Sequence, residues 1–336
     1  MESIVGKTSR SYWMGIAMIW ILVFHLINPI CTNEAISSTL RQSLSRITGS
    51  GYLGVDIFLF LSSYGLCHSF VNNTYKNYLL RRLKRLFPVF ILFIVAYIYF
   101  FVGVNDPIHL TKTTLMHITG LSTFSNISYA WYIPTTIFIY WSFPLWFYSV
   151  KWLEQKSMVL IWLLIIGMLF IKPLMIPYIF WLANGRFIMV VLGILTYLWL
   201  NDTTKKPNKN LLFLFLMPAI LAAIFATSKV EIVGMSLPLL FFIIDRAGIY
   251  RYGEKFFNFI GKHTLEIYLA QCITIEWFTP PRIVQLIEYQ QITYGVKFAF
   301  AMVLEIVLTI ALAFVLYHVQ NIFSKAYAYK NRTATI

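Results

Sequence analysis

The sequence predicts an all-α fold, a polytopic bundle of membrane-crossing helices, and three observations predict it. Of its 336 residues, 59% are hydrophobic and 12% charged, against about 25% charged in an average soluble domain. Apolar runs near the roughly 20 residues that cross a bilayer recur along the whole chain. The positive residues lie between those runs and favour one side, as they do where a membrane orients a protein.

In chain order, spans are expected near residues 12–30, 52–71, 86–104, 129–149, 158–173, 186–200, 211–227, 230–245, 256–278 and 295–320, about ten in all. The opening "MESIVGKTSRSYWMGIAMIWILVFHLINPIC" has the basic start and apolar centre of a signal peptide. No small-x-small cleavage site follows, so it reads as a retained first span. The middle four runs are short for a perpendicular crossing, and Pro218 and Pro238 interrupt two of them. Re-entrant or broken helices are an alternative there, where protein or a wet cavity can satisfy the backbone. The longest polar insertions, near 32–50 and 105–128, are too short to bury a core of their own, so residues 1–336 read as one membrane domain.

With ten spans both termini share a side. That side holds 19 of the 27 lysines and arginines and the other holds 8, which predicts cytoplasmic termini. The net charge of +14 is then topological and calls for no nucleic acid. Cys31, Cys67 and Cys272 have neither paired spacing nor a nearby ligand cluster, so neither a metal site nor a disulfide framework is expected.

The densest positive stretch is "NYLLRRLKRLFP", with Arg81, Arg82, Lys84 and Arg85 just before an apolar run. A basic flank that sets topology is one reading. The other is a phosphate site, since Arg82 and Arg85 stand three residues apart on a helix and share a face.

Ionisable side chains inside spans mark function by default. His25 lies about five residues from the outer end of the first span and Asp56 a similar distance into the second, both about 7 Å below the surface at 1.5 Å per residue. A carboxylate beside a histidine fixes its tautomer and stabilises the imidazolium, as general-base catalysis needs. The plainer alternative gives His25 a backbone carbonyl and makes Asp56 a helix cap. Glu266 and Glu305 fall mid-span, where an unpaired carboxylate costs about 2.5 kcal/mol or more, so both should face inward. Arg186, at the mouth of the sixth span, has three options: an acid, an anionic sugar substituent, or the interface. Ser62 and Ser63 read as packing hydroxyls, and His109, His117, His263 and His318 as solvated side chains near loops or membrane edges. Trp131 and Tyr132 open the fourth span level with His25, as interfacial anchors or as a plate for a sugar ring.

In order, these segments resemble the acyltransferase 3 family of integral-membrane O-acyltransferases. "GIAMIWILVFH" resembles the family's first span ending in its histidine, and "GVDIFLFLSSYGL" its second. "RRLKRLFP" supplies the family's Arg-x-x-Arg before proline through Arg82, Arg85 and Pro88. "WYIPTTIFIYWSFPL", "GRFIMVVLGI" and "IGKHTLEIYLAQ" resemble later spans, so the likeness covers roughly residues 13–320. Three positions depart from the pattern. Met14 stands where an arginine is common, with Arg10 one turn earlier; Ser63 replaces a glycine; and Gln271 stands where many members have histidine. The resemblance implies transfer of an acyl group, usually acetyl, from cytoplasmic acetyl-CoA to a hydroxyl of an extracytoplasmic or lipid-linked glycan. It implies His25 as base with Asp56 beside it, Arg82 and Arg85 as anchors for the CoA phosphates, and a bacterial inner membrane as the setting. A secondary transporter or flippase would also explain many spans and buried acids, although transporters usually show interrupted helices in corresponding halves.

Overall fold

The computed structural model describes residues 7–31, 38–39, 42, 51, 53–99, 106–124, 130–171, 178–201, 216–224, 234–237, 240–241, 243–244, 252–277 and 294–333, and every regular element among them is helical. The longer α-helices are α1 (Lys7–Cys31), α2 (Leu53–Val71), α3 (Tyr75–Tyr97), α4 (Pro107–Thr119), α5 (Tyr132–Lys156), α6 (Met158–Ile171), α7 (Tyr178–Asn201), α8 (Glu254–Lys262), α9 (Thr264–Trp277) and α10 (Tyr294–Thr333). Three contain membrane-length apolar windows, Arg10–Ile27, Leu53–Val71 and Met302–Phe323, and Met158–Leu169, Arg186–Asn201 and Thr264–Ile275 are shorter apolar stretches. The protein is an integral, multi-pass membrane protein. Pro238 and parts of the spans expected near 211–227 and 230–245 lie outside the described residues.

Three elements differ from the sequence reading. The helix expected from residue 86 starts at Tyr75, because Thr74 caps it: the Asn77 amide donates to Thr74 Oγ1 (3.5 Å). The basic run is therefore helical. The span expected over 256–278 is two helices, α8 and α9, parted at His263, within the polar stretch Gly261-Lys262-His263-Thr264. In the insertion near 105–128, α4 is followed by a 3-10 turn over Leu121–Phe124. His117, expected in solvent, is fully buried there with Nδ1 donating to the Thr113 carbonyl (2.7 Å).

The chain divides into two compact units. The first comprises residues 1–17, 53–82 and 112–262, and the second residues 18–52, 83–111 and 263–336. In the first, α2 and α7 pack side by side and run parallel, since Asp56 meets Arg186 near one end and Tyr64 meets Tyr197 farther on. Gly193 permits the close approach: a Cβ there would lie 2.6 Å from the Phe60 carbonyl oxygen. The start of α1 packs on α8 in the same way, with Gly15 against the Phe257 backbone and Gly261 against the Ser11 carbonyl. Small residues four apart let membrane helices meet backbone to backbone.

A proline helps place the base of α3. Pro144 lies inside α5 and brings no N–H to the carbonyl of Tyr140, four residues earlier. The buried Tyr78 hydroxyl donates to that carbonyl (3.3 Å), and Tyr75 donates to the carbonyl of Trp141 (2.9 Å). Burial raises the Tyr78 phenol well above its ordinary value, so it stays a neutral donor. α5 passes into α6 through Ser157 alone. Its amide closes α5 on the Leu153 carbonyl (2.9 Å), and its hydroxyl caps α6 at the Val159 amide (3.2 Å).

In the second unit α9 and α10 run antiparallel. His263 meets Tyr317 edge to face (centroids 4.8 Å apart) and Thr274 meets Thr309, so numbers rise on one helix as they fall on the other.

Candidate active site

Asp56 sits in the first turn of α2, where the helix dipole favours a negative charge. Its Oδ1 accepts from Arg186 Nη1 at 2.9 Å, and the two side chains are 7% and 12% exposed. Gly234 lies against the carboxylate, and a Cβ there would come within 3.1 Å of Oδ2. The Arg186 guanidinium carbon stands 5.7 Å from the centroid of the Trp131 ring, within cation-π range. Ala130, at φ 49°, turns the chain into Trp131 through a left-handed geometry uncommon for a residue with a Cβ. Ion pair, aromatic plate and glycine backing thus form one assembly on α2, α7 and the start of α5.

Tyr132 stands next along α2. Its ring lies 6.0 Å from that of Phe58, and its side chain is held by hydrogen bonds with Ser62 and Thr136. Ser62 is thereby a partner of the tyrosine as well as a packing hydroxyl. The neighbouring Ser63 is buried, and its Oγ has no hydrogen-bond partner.

About 13 Å farther along α2, counting nine residues from Asp56, Gly65 gathers two cations. Arg82 Nη2 donates to the Gly65 carbonyl (3.4 Å), and the Arg10 guanidinium lies where a Cβ of Gly65 would be. Arg82 Nε is buried and has no hydrogen-bond partner. Of the basic run, Arg82 is half-buried, whereas Arg81, Lys84 and Arg85 are exposed on α3.

His25, Arg85, Glu266 and Glu305 belong to the second unit. His25 is half-buried on α1 with its ring edge-on to Phe24 (centroids 5.1 Å), and Gly51 lies against the Phe24 side chain. Glu266 and Glu305 are both buried, 6% and 7% exposed, and so face inward. Asp56, Arg186 and Trp131 come together, as do Tyr132 and Ser62. Sequence reading missed the place of Arg10 beside Gly65 and the backing of Asp56 by Gly234. Arg10 had one signal, its position a turn before Met14; a glycine facing a carboxylate 178 positions away has none. Among the described residues no three His, Cys, Asp or Glu side chains gather as metal ligands would.

A helical, multi-pass membrane protein with a buried acid-arginine pair at one end of a central helix and a cationic cluster at the other is the class this fold and site define. The chain belongs to the acyltransferase domain family, acyltransferase 3, whose profile matches residues 12–318 and so takes in parts of both units. Comparison with curated proteins and with solved structures gives no match.

Proposed function

We propose that the protein transfers an acyl group, acetyl in the first instance, from a cytoplasmic acyl-CoA to a hydroxyl of an extracytoplasmic or lipid-linked glycan. The observation that carries this reading, beside family membership, is the meeting of Arg10 and Arg82 at Gly65. The two guanidinium groups bring planar forked donors of like charge to one glycine, and the diphosphate and 3'-phosphate of CoA are anions whose oxygens suit such donors. Arg85, three residues beyond Arg82 on α3, would take a further phosphate oxygen.

His25 acts as the general base. Its neutral imidazole removes the proton of the acceptor hydroxyl as that oxygen attacks the thioester carbonyl. The tetrahedral intermediate collapses, the carbon-sulfur bond breaks, and the CoA thiolate recovers the proton from the imidazolium. Asp56 is held by Arg186 at 2.9 Å, and in this reading its carboxylate is the partner that a histidine base calls for. Trp131 offers its ring to the face of a sugar, held edge-on to Tyr132 (interplanar 90°). Arg186 is already paired with an acid, so the reading favours an acceptor that is uncharged at that point.

The test is label transfer from acetyl-CoA to membrane glycan. His25→Ala should abolish it, and Arg82→Ala should raise the KM for acetyl-CoA about tenfold or more, the loss of a charge-assisted hydrogen bond. Full activity in the first removes the base, and an unchanged KM in the second removes the anchor. Accumulation of a solute in vesicles without any acyl donor would favour a transporter instead.

A further inference from the structure

In the second unit, two buried polar atoms on α9 are left without partners. Gln271 is 2% exposed and Glu266 6% exposed, and neither Gln271 Nε2 nor Glu266 Oε2 has a hydrogen-bond partner. Each such group costs about 1–3 kcal/mol when stripped of water and left unmade, and a lone carboxylate inside a membrane span is among the most expensive side chains there. Between them on the helix wheel lie Ala270, fully buried, and Thr274, whose hydroxyl bonds to Thr309 Oγ1 of α10 (2.8 Å) and to the Gln271 carbonyl (3.2 Å). At 100° per residue the four positions span an arc of about 140°, with Glu266 and Gln271 at its margins and about 7.5 Å apart along the axis. Thr309 and Glu305 continue the buried polar line on α10. The face therefore offers one acceptor and one donor, both dry and both unmet, beside a strip of small side chains.

We infer that Glu266 and Gln271 bind the pantetheine arm of the acyl donor, Glu266 Oε2 accepting from an amide N–H and Gln271 Nε2 donating to an amide carbonyl. This rests on the acyl-CoA reading above. Between the phosphates and the thioester that arm carries two secondary amides joined by two methylenes. Like atoms of the two amides are about 5 Å apart, a spacing that two side chains of three or more bonds can meet from a 7.5 Å rise. Taken out of water, each amide needs a donor and an acceptor or it forfeits its own hydrogen bonds. An amide-bearing arm matches the face chemically, whereas a lipid tail or a simple inorganic ion satisfies at most one of its two groups.

The experiment compares three donors on the full-length protein in membranes: acetyl-CoA, acetyl-pantetheine with both amides and no nucleotide, and S-acetyl-N-acetylcysteamine with a single amide. Gln271→Leu and Glu266→Leu should each raise the KM about tenfold for the first two donors, one hydrogen bond's worth, and only one of the two variants should do so for the third, which keeps the thiol-side amide alone. Gln271→Leu should leave the thermal midpoint unchanged or raised, because an apolar side chain of similar size replaces a buried amide without a partner. Wild-type KM values for acetyl-CoA in both variants would overturn the inference. So would a uniform loss on all three donors with a lowered midpoint, which is the mark of a packing role. If the wild-type protein transfers acetyl from none of the three, the acyl-CoA reading falls first and this one with it.

Discussion

Helices α2 and α10 both carry membrane-length apolar windows, yet they serve opposite purposes. In α2 the window has a mean hydropathy of 1.3 and is 72% buried inside the protein; in α10 the figures are 2.3 and 22%. The more apolar helix is the one presented outward. A helix enclosed by neighbours can hold Asp56, Ser62 and Gly65, because each can find a protein partner or give room to one. A helix facing lipid must be largely apolar on its open side, and α10 keeps its mid-span polar residues, Glu305 and Thr309, on the covered one. In a membrane the interior is recognised less by its hydrophobicity than by the polar groups it can accommodate.

That contrast can be broken most severely at Asp56. Asp56→Ala leaves the Arg186 charge buried without its carboxylate, an expected loss of about 3–5 kcal/mol, read as a fall in thermal midpoint in detergent. Asp56→Ala with Arg186→Met should regain most of the stability, and failure to do so would mean that the pair is not what ties α2 to α7. Next comes Gly193→Leu, which forces a side chain against the Phe60 carbonyl and should cost about 1–3 kcal/mol, again in the thermal midpoint.

A smaller effect is expected at His117. Burial holds its imidazole below the ordinary value of 6.5, opposed in part by the Thr113 carbonyl. Between the folded value and 6.5 the unfolded chain binds a proton that the folded one does not, so stability rises with pH across that window. The contribution is complete above about pH 6.5 and is lost as the pH falls below it. His117→Gln should flatten this part of the midpoint-versus-pH curve while changing the midpoint little at pH 8. The smallest effect belongs to α10: Ile310→Ala, at a side chain 64% exposed, should stay within about 0.5 kcal/mol. A loss as large as that of Gly193→Leu would show that α10 is covered by something and would dissolve the contrast.

Much of this was legible in the sequence, and the limits have physical causes. Run length and apolar content give α2, α6, the end of α1 and the start of α10 nearly to the residue, because the bilayer imposes a one-dimensional rule on the chain; α1 begins earlier, at Lys7, and α10 runs on to Thr333, beyond their apolar runs. The inward placement of Glu266 and Glu305 follows from the cost of a carboxylate in lipid. The break at His263 falls in the polar stretch Gly261-Lys262-His263-Thr264, which a window of about 20 residues averages over. The burial of His117 depends on α4 and the turn at Leu121–Phe124 folding back, with Gly120 set against Pro134 and Phe138. The ion pair joins residues 130 positions apart; its members could be recognised as expensive and in need of a partner, but no local pattern says which partner each takes.

The two tyrosines at the foot of α3 have a consequence for how a donor would be received. They grip main-chain oxygens of α5, one of which a proline has left without its helical donor, so the attachment depends on backbone rather than on any changeable side chain. Rotating α3 by even one residue about its axis would swing both phenols off their acceptors and turn Arg82 away from Gly65. The cationic end of that helix is therefore moored in one angular setting, and an incoming polyanion would meet charges already aimed.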